Sequence, residues 1–424
     1  MTMVGIRPAL RAMLIEARRL ACLRGRVHLD PDCRMTEYGT AGYDTFFGYH
    51  DVSPFGRGDH LILATRRSKA AGPRAAGTPL ELGFFDQTCS QPRFEQIAIS
   101  KAWCWQQGCR LQWHGGTDDQ CMLFNATEQG RHISRVFDVA AARQVVDFPR
   151  ALYAVSSDGM CGVSLNFARL QRLRPGYGYD DIPDTSAGEC APADDGLWLV
   201  DLKRGTDELI LSLAQVASTL PEPSMVGATH YFNHVLWSPD GGRFFFMHLW
   251  RMANGRRKSR AYIWDMDSLT FSLLCSCDQV SHHCWIDNQR MIIYSNEPDS
   301  GTHYHIYDVR NGCLAIVGAR ALSKDGHPSM SPTDPTLMVT DTYPDRFGEQ
   351  SLLIFDTAHE RLRRIALLYS PSRLRGEIRC DLHPRWSRSG QYLSIDSAHR
   401  DERRLCVLNV SDIVQSLRGG AQYS

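Results

Sequence analysis

Four stretches of this chain share one plan. HVLWSPDGGRFFFMHLWR begins at His234, HHCWIDNQRMIIYSNEPD at His282, HPSMSPTDPTLMVTDTYPD at His327 and HPRWSRSGQYLSIDSAH at His383. In each, a histidine stands three positions before Trp237, Trp285, Met330 or Trp386, and a turn and an apolar strand follow. Weaker copies precede them: YHDVSPFG from Tyr49, RLQWHGG from Arg110 and LYAVSSDG from Leu152. A second marker keeps step with the first, an apolar strand closed by Asp86, Asp138, Asp201, Asp265, Asp308, Asp356 or Asn409. A turn follows each, where a short carboxylate or amide side chain can cap the backbone. Units of about 40–60 residues rich in β-type apolar stretches are the signature of four-stranded repeats. Seven copies of two markers predict an all-β, seven-bladed β-propeller over 41–424. A pair of β-sandwiches would not require the repeat. The preceding segment, 1–40, opens with MTMVGIRPALRAMLIEARRLACLRGR, a basic amphipathic pattern that predicts an N-terminal helix and strap packed on the domain.

Composition narrows the function. The formal net charge is zero and the pI about 7.2, so no bulk positive field invites nucleic acid. No apolar run reaches the roughly 18 residues of a membrane span. The first residues lack the uninterrupted apolar core and small-residue cleavage site of a secretion signal. Fourteen cysteines without regular spacing fit a reduced, cytoplasmic protein better than a disulfide scaffold or a zinc ribbon. Cys284, beside His282 and His283, reads as a small buried apolar residue. Dinucleotide, P-loop and G-x-S-x-G motifs are absent, which leaves nucleotide chemistry and serine-hydrolase chemistry without support.

Propeller geometry says what the histidines share. The innermost strand of a blade lines the channel and the second strand returns antiparallel, so a residue entering the first and one leaving the second lie on one face. This rule places His50, Tyr153, Arg169, His234, His248, His282, His283, Glu297, His327, Asp341, His383 and His399 around one rim. Imidazoles and carboxylates converging there predict a divalent-metal site drawn from His234, His282, His283, His327 and His383, with Zn, Mn or Ca as the ion. The competing reading is that these histidines cap strands and bond to backbone, copied along with the repeat. In the third unit, ARLQRLRPGYGYDDIPDTSAGECAPA reads as a long loop on a rigid scaffold, where function concentrates.

GHPSMSP…VTDTYPD, LHPRWS…SIDSAHR and SLNFARLQRLRPGYGY together resemble the propeller polysaccharide lyases, with oligogalacturonate lyases and propeller ulvan lyases as the nearest relatives, over most of residues 45–412. The resemblance implies cleavage of uronic-acid glycosides by β-elimination. In the pectic branch it implies a histidine-rich metal site, here His327 and His383 with partners among His234, His282 and His283. CDLHPRW offers only His383 where the pectic type carries a glutamine and two histidines. In the ulvan branch it implies a His, Tyr and Arg set, and Tyr153 with Arg169 looks similar to that pair. The chemistry needs a cation on the uronate carboxylate, a base for the α proton and an acid for the leaving oxygen. The expected catalytic residues are therefore Tyr153, Arg169, His50 and His234, with Arg172, Arg174, Tyr177 and Tyr179 holding the acidic oligo- or polysaccharide. The alternative is a non-catalytic propeller that binds glycan or protein in surface-polysaccharide metabolism.

Overall fold

The structure, a computed structural model, describes residue 13 and residues 27–419 apart from 73, 118, 277 and 278. Apart from residue 13, the predicted N-terminal helix lies outside the described residues. Among the described residues the strands form seven antiparallel sheets. Blade one consists of Tyr43–Phe46, Leu61–Ser68, Leu80–Asp86 and Glu95–Ser100. The innermost strands of the next six are Gln112–Trp113, Leu152–Val155, Thr229–Trp237, Val280–Trp285, Ser329–Ser331 and Arg385–Trp386.

The ring closes through the N-terminal segment. Arg34–Tyr38 pairs with Arg404–Asn409 and becomes the outermost strand of blade seven. His28–Leu29 adds a fifth strand to blade six by pairing with Arg361–Tyr369, and Arg363 bonds to Asp30 and Asp32 beside it. A boundary at 40 therefore cuts through the ring, because 28–38 are strands of two blades rather than an outer strap. Pairing the two ends of the chain removes an open sheet edge and ties the last blade to the first.

Both sequence markers have a physical role. Each marker Asp or Asn ends the third strand of its blade and accepts a hydrogen bond from a backbone N–H two or three residues on, at 2.8–3.2 Å. The tryptophans join blades: Trp113, Trp285 and Trp386 donate from Nε1 to Pro54, Leu236 and Ser329 carbonyls of the preceding blade, at 3.0, 3.2 and 3.0 Å. Three residues upstream of Trp113, Trp237 and Trp386, Arg110, His234 and His383 adopt left-handed backbone, with φ of 56°, 53° and 46°. That conformation is costly for a residue with a Cβ and persists only where packing over-determines it. At His234 it coincides with a shift in register between Asn233 and Leu236, a bulge that re-aims the side chain.

The insertion of blade three is not all loop. Phe167–Leu173 is a helix, capped by the Asn166 side chain, which accepts from the Arg169 N–H. His248 is not on the channel rim either. It is fully buried in blade four, where His230 Nδ1 and His248 Nε2 lie 2.8 Å apart. Burial holds both imidazoles below their ordinary 6.5, His230 at about 4. Between about pH 4 and 6.5 the unfolded chain therefore binds more protons than the folded one, so stability rises with pH in that window and is lost as pH falls through it. Denaturant midpoints are expected to fall from pH 6.5 to pH 4, and His248→Gln, which keeps a hydrogen-bonding group but cannot titrate, is expected to reduce that slope.

Candidate functional site

The position three residues before the turn marker is occupied around the ring by Tyr49, Arg110, Leu152, His234, His282, His327 and His383. Four of the histidine rings gather about Tyr49, whose ring centroid lies 5.3 Å from His234, 6.5 Å from His282, 5.8 Å from His327 and 4.8 Å from His383. His50 follows Tyr49 at 4.5 Å and stands 5.3 Å from His327. All are buried, so each imidazole must be satisfied by a neighbour or left ready for a ligand.

Asp341, at the end of the second strand of blade six, arranges two of them. Its Oδ1 accepts from the His327 backbone N–H and from His327 Nδ1, each at 2.8 Å, and its Oδ2 accepts from the His383 backbone N–H at 3.1 Å. Gly326 permits this approach, since a Cβ there would stand 1.9 Å from the Asp341 carbonyl oxygen. His383 donates from Nδ1 to the Gly48 carbonyl at 2.8 Å. Both rings thus carry hydrogen on Nδ1 and turn a bare Nε2 inward. His327 Nε2, His383 Nε2 and Asp381 Oδ1 are buried without hydrogen-bond partners. Ligand atoms of these three residues lie within 4.8 Å of one another. Two imidazoles and a carboxylate, oriented from behind by a carboxylate and a carbonyl, suit a divalent ion. Burial alone would lower His327, but Asp341 outweighs it and the net shift is upward, so protons compete with metal for its Nε2. Burial holds His383 and His50 well below the ordinary value, and neighbouring charge adds to it.

Beside this triad lies a second device. The Tyr153 hydroxyl accepts from Gln107 Nε2 at 2.6 Å and lies 3.2 Å from Asn233 Oδ1 and 3.3 Å from His234 Nδ1. The assignment that satisfies all three has Tyr153 donating to Asn233 and His234 Nδ1–H donating to Tyr153, which leaves the lone pair on His234 Nε2. Burial, then Arg174, holds His234 well below its ordinary value, so it is neutral near pH 7. Arg174 ends the helix of blade three with its guanidinium 4.2 Å from the centroid of the Tyr177 ring, and it has no carboxylate partner among the described residues. Tyr177 is in turn bonded by Arg379 at 2.6 Å, and Arg379 holds Asp381 Oδ2 at 2.5 Å.

The structure brings together His50, His234, His282, His327, His383, Tyr153, Arg174 and Tyr177, and sorts the remaining candidates differently. Arg169 is 1% exposed. It donates to the carbonyls of His230, Ser186, Glu189 and Cys190 at 2.7–3.0 Å. A fork saturated by four carbonyls holds the inserted loop and is not free to grip a substrate carboxylate. Arg172 points to Asp184 at 2.8 Å. Tyr179 stacks on Phe167 at 4.3 Å and accepts from Asn125, as part of the core. His283 packs on Phe245 at 3.9 Å and bonds to the Ser281 carbonyl. His282 lies 4.1 Å from His327, but its Nδ1 is taken by Asp325 and its Nε2 by Tyr343. Glu297 bonds to Tyr307, and His399 to Ser397 and Glu37, away from this cluster. The third member of this triad, Asp381, is not reached by counting histidines alone; its signal is the D-x-H spacing in CDLHPRW.

No family model matches the sequence, and no curated protein matches it. Among solved structures the chain is similar to an oligogalacturonate lyase in complex with manganese, at 14% identity and a TM-score of 0.57, over 92% of this chain and 99% of that one. It is also similar to the oligogalacturonate lyase of Vibrio parahaemolyticus, at 13% identity and a TM-score of 0.60, over 91% and 98%. At these identities the likeness establishes the fold. The chain is a seven-bladed β-propeller with a buried cluster of histidines and carboxylates at its centre.

Two outcomes are expected. Metal-stripped protein should take up about one equivalent of Mn²⁺ or Zn²⁺ in equilibrium dialysis. His327→Ala should abolish that uptake and Asp341→Asn should weaken it about 10–100-fold. Arg169→Ala should destabilise the fold by about 3 kcal/mol, since it leaves several buried carbonyls without donors, measured by denaturant unfolding.

Proposed function

We propose that the protein is a lyase that cleaves uronic-acid-containing oligosaccharides by β-elimination with the help of a divalent metal ion. The observation that carries this reading is the set of three buried, partnerless ligand atoms on His327, Asp381 and His383, adjoining a histidine with a free Nε2 and an arginine without a carboxylate. The fold likeness to two oligogalacturonate lyases, one in complex with manganese, supports it.

The reaction removes the proton α to a uronate carboxylate and expels the 4-oxygen. A divalent ion held by His327, Asp381 and His383 would supply positive charge to the carboxylate as the proton leaves. Arg174 adds a second, permanent positive charge and can bind a carboxylate bidentately. His234 Nε2 accepts the proton from C5, with its tautomer fixed by Tyr153. The electron pair forms the C4–C5 double bond as the C4–O bond breaks. The leaving oxygen then takes a proton, which the Tyr49 hydroxyl, buried without a partner, is available to donate. Tyr153 is thus a positioning residue rather than the acid or base, because its hydroxyl is already committed to Gln107 and Asn233.

Oligouronates incubated with the Mn²⁺-loaded protein should yield products with the ultraviolet absorbance of an unsaturated uronate. His234→Ala should lower kcat about 10²–10⁴-fold. Tyr153→Phe should lower it about 10–100-fold and shift its pH profile, while metal uptake stays intact. If no uronate oligomer is cleaved at any metal loading, the lyase reading fails and a binding propeller replaces it.

A further inference from the structure

A groove of about 340 Å³ opens between the loop after the second strand of blade six and the segment linking blades six and seven. Its walls include Arg346, Phe347, Arg375, Arg379 and Asp381. The last two belong to the site already described: Asp381 is the carboxylate of the metal triad, and Arg379 bonds to it and to Tyr177. The groove therefore adjoins the candidate site through these two residues.

Its charge is unbalanced. Asp345 spends its Oδ1 on the Phe347 and Glu349 backbone N–H groups, at 2.7 and 3.0 Å, and so braces its own loop. Asp381 is matched by Arg379. Arg346 lies 4.6 Å from the centroid of the Phe347 ring. Neither Arg346 nor Arg375 meets a carboxylate among the described residues, in contrast to the neighbouring Arg373, which bonds to Asp401 at 2.9 Å. Two guanidinium groups without anions, on the walls of a groove that adjoins the proposed reaction centre, suit an anion carried by the same ligand. In an acidic oligosaccharide that anion is the carboxylate of the next sugar, and guanidinium binds carboxylates bidentately.

We propose that this groove is a second acidic-sugar subsite, in which Arg346 and Arg375 take the carboxylate of a uronate flanking the one that reacts. The choice of uronate as ligand rests on the lyase reading; the need for a flanking anion rests on the groove. The subsite makes chain length a specificity determinant, so that longer oligouronates are preferred over disaccharides.

The test is isothermal titration of the Mn²⁺-loaded full chain with di- and trisaccharides of galacturonate and of mannuronate, for wild type and for Arg346→Ala/Arg375→Ala. Both side chains are exposed, so the variant should fold; a circular dichroism melt checks this. For at least one sugar, wild type should bind the trisaccharide about ten-fold tighter than the disaccharide, and the variant should bring that ratio to near one. An unchanged ratio in the variant, no chain-length preference in wild type, or no binding of any of the four sugars overturns the subsite. Product absorbance measured in parallel separates the two readings. Arginine-dependent chain-length preference without cleavage keeps the groove and removes the lyase. Cleavage with a ratio that ignores both arginines keeps the lyase and removes the groove.

Discussion

The Asp341 carboxylate is the hinge of this molecule. It is almost fully buried, yet it accepts from two backbone N–H groups and one imidazole on two different blades. Burial by itself would raise its pKa, but the His327 imidazole and those bonds hold it below the ordinary carboxylate range. An ionised carboxylate in a low-dielectric interior is costly unless fully bonded, so this geometry is fixed rather than adaptable. What it fixes is the direction of His327 and the backbone from which His383 projects. The joint between blades seven and one supports the same point from the other side: Asp396 accepts from the Phe47 and Gly48 N–H groups and from Arg385, and Arg385 donates from Nε to the Tyr49 carbonyl. Closure of the ring and alignment of the site are thus one set of bonds.

Burial has opposite consequences for the groups around the channel, and hydrogen bonding decides which applies. Arg169 and Tyr179 are buried and satisfied, and so belong to the framework. His327 Nε2, His383 Nε2 and Asp381 Oδ1 are buried and unsatisfied, and so carry a standing penalty that a ligand would relieve. Stability favours filling every such atom with an internal partner; leaving three of them directed at one point is what a binding centre requires and a purely structural core does not. The left-handed backbone at His234 and His383 belongs to the same economy of strain, which clusters where side-chain direction matters more than local comfort.

Much of this was legible in the sequence because the repeat is written in local chemistry. Asp86, Asp138, Asp201, Asp265, Asp308, Asp356 and Asn409 each cap their own turn, an interaction spanning only a few residues. The three-residue offset from the turn to His234, His282, His327 and His383 follows from strand geometry, which is why those rings meet. The same offset selects Tyr49 in blade one, a residue overshadowed in the sequence by the more conspicuous His50 beside it. Asp381 could be read from its D-x-H spacing only once the ligand atoms of His327 and His383 were known to face each other.

The sequence by itself determined the number of blades, the strand order within each and the entrance position of each innermost strand, because capping, alternation and turn chemistry act over a few residues. It could not determine that residues 28–38 complete the last two blades, since that pairing joins segments more than three hundred residues apart. Nor could it separate Arg169 from Arg174, five residues apart with the same chemistry. One meets four carbonyls and the other meets none of the described carboxylates, and which of these happens depends on the chain brought against each side chain. Tertiary structure decided that, because whether a buried polar atom is satisfied is a property of its neighbours in space rather than of its neighbours in sequence.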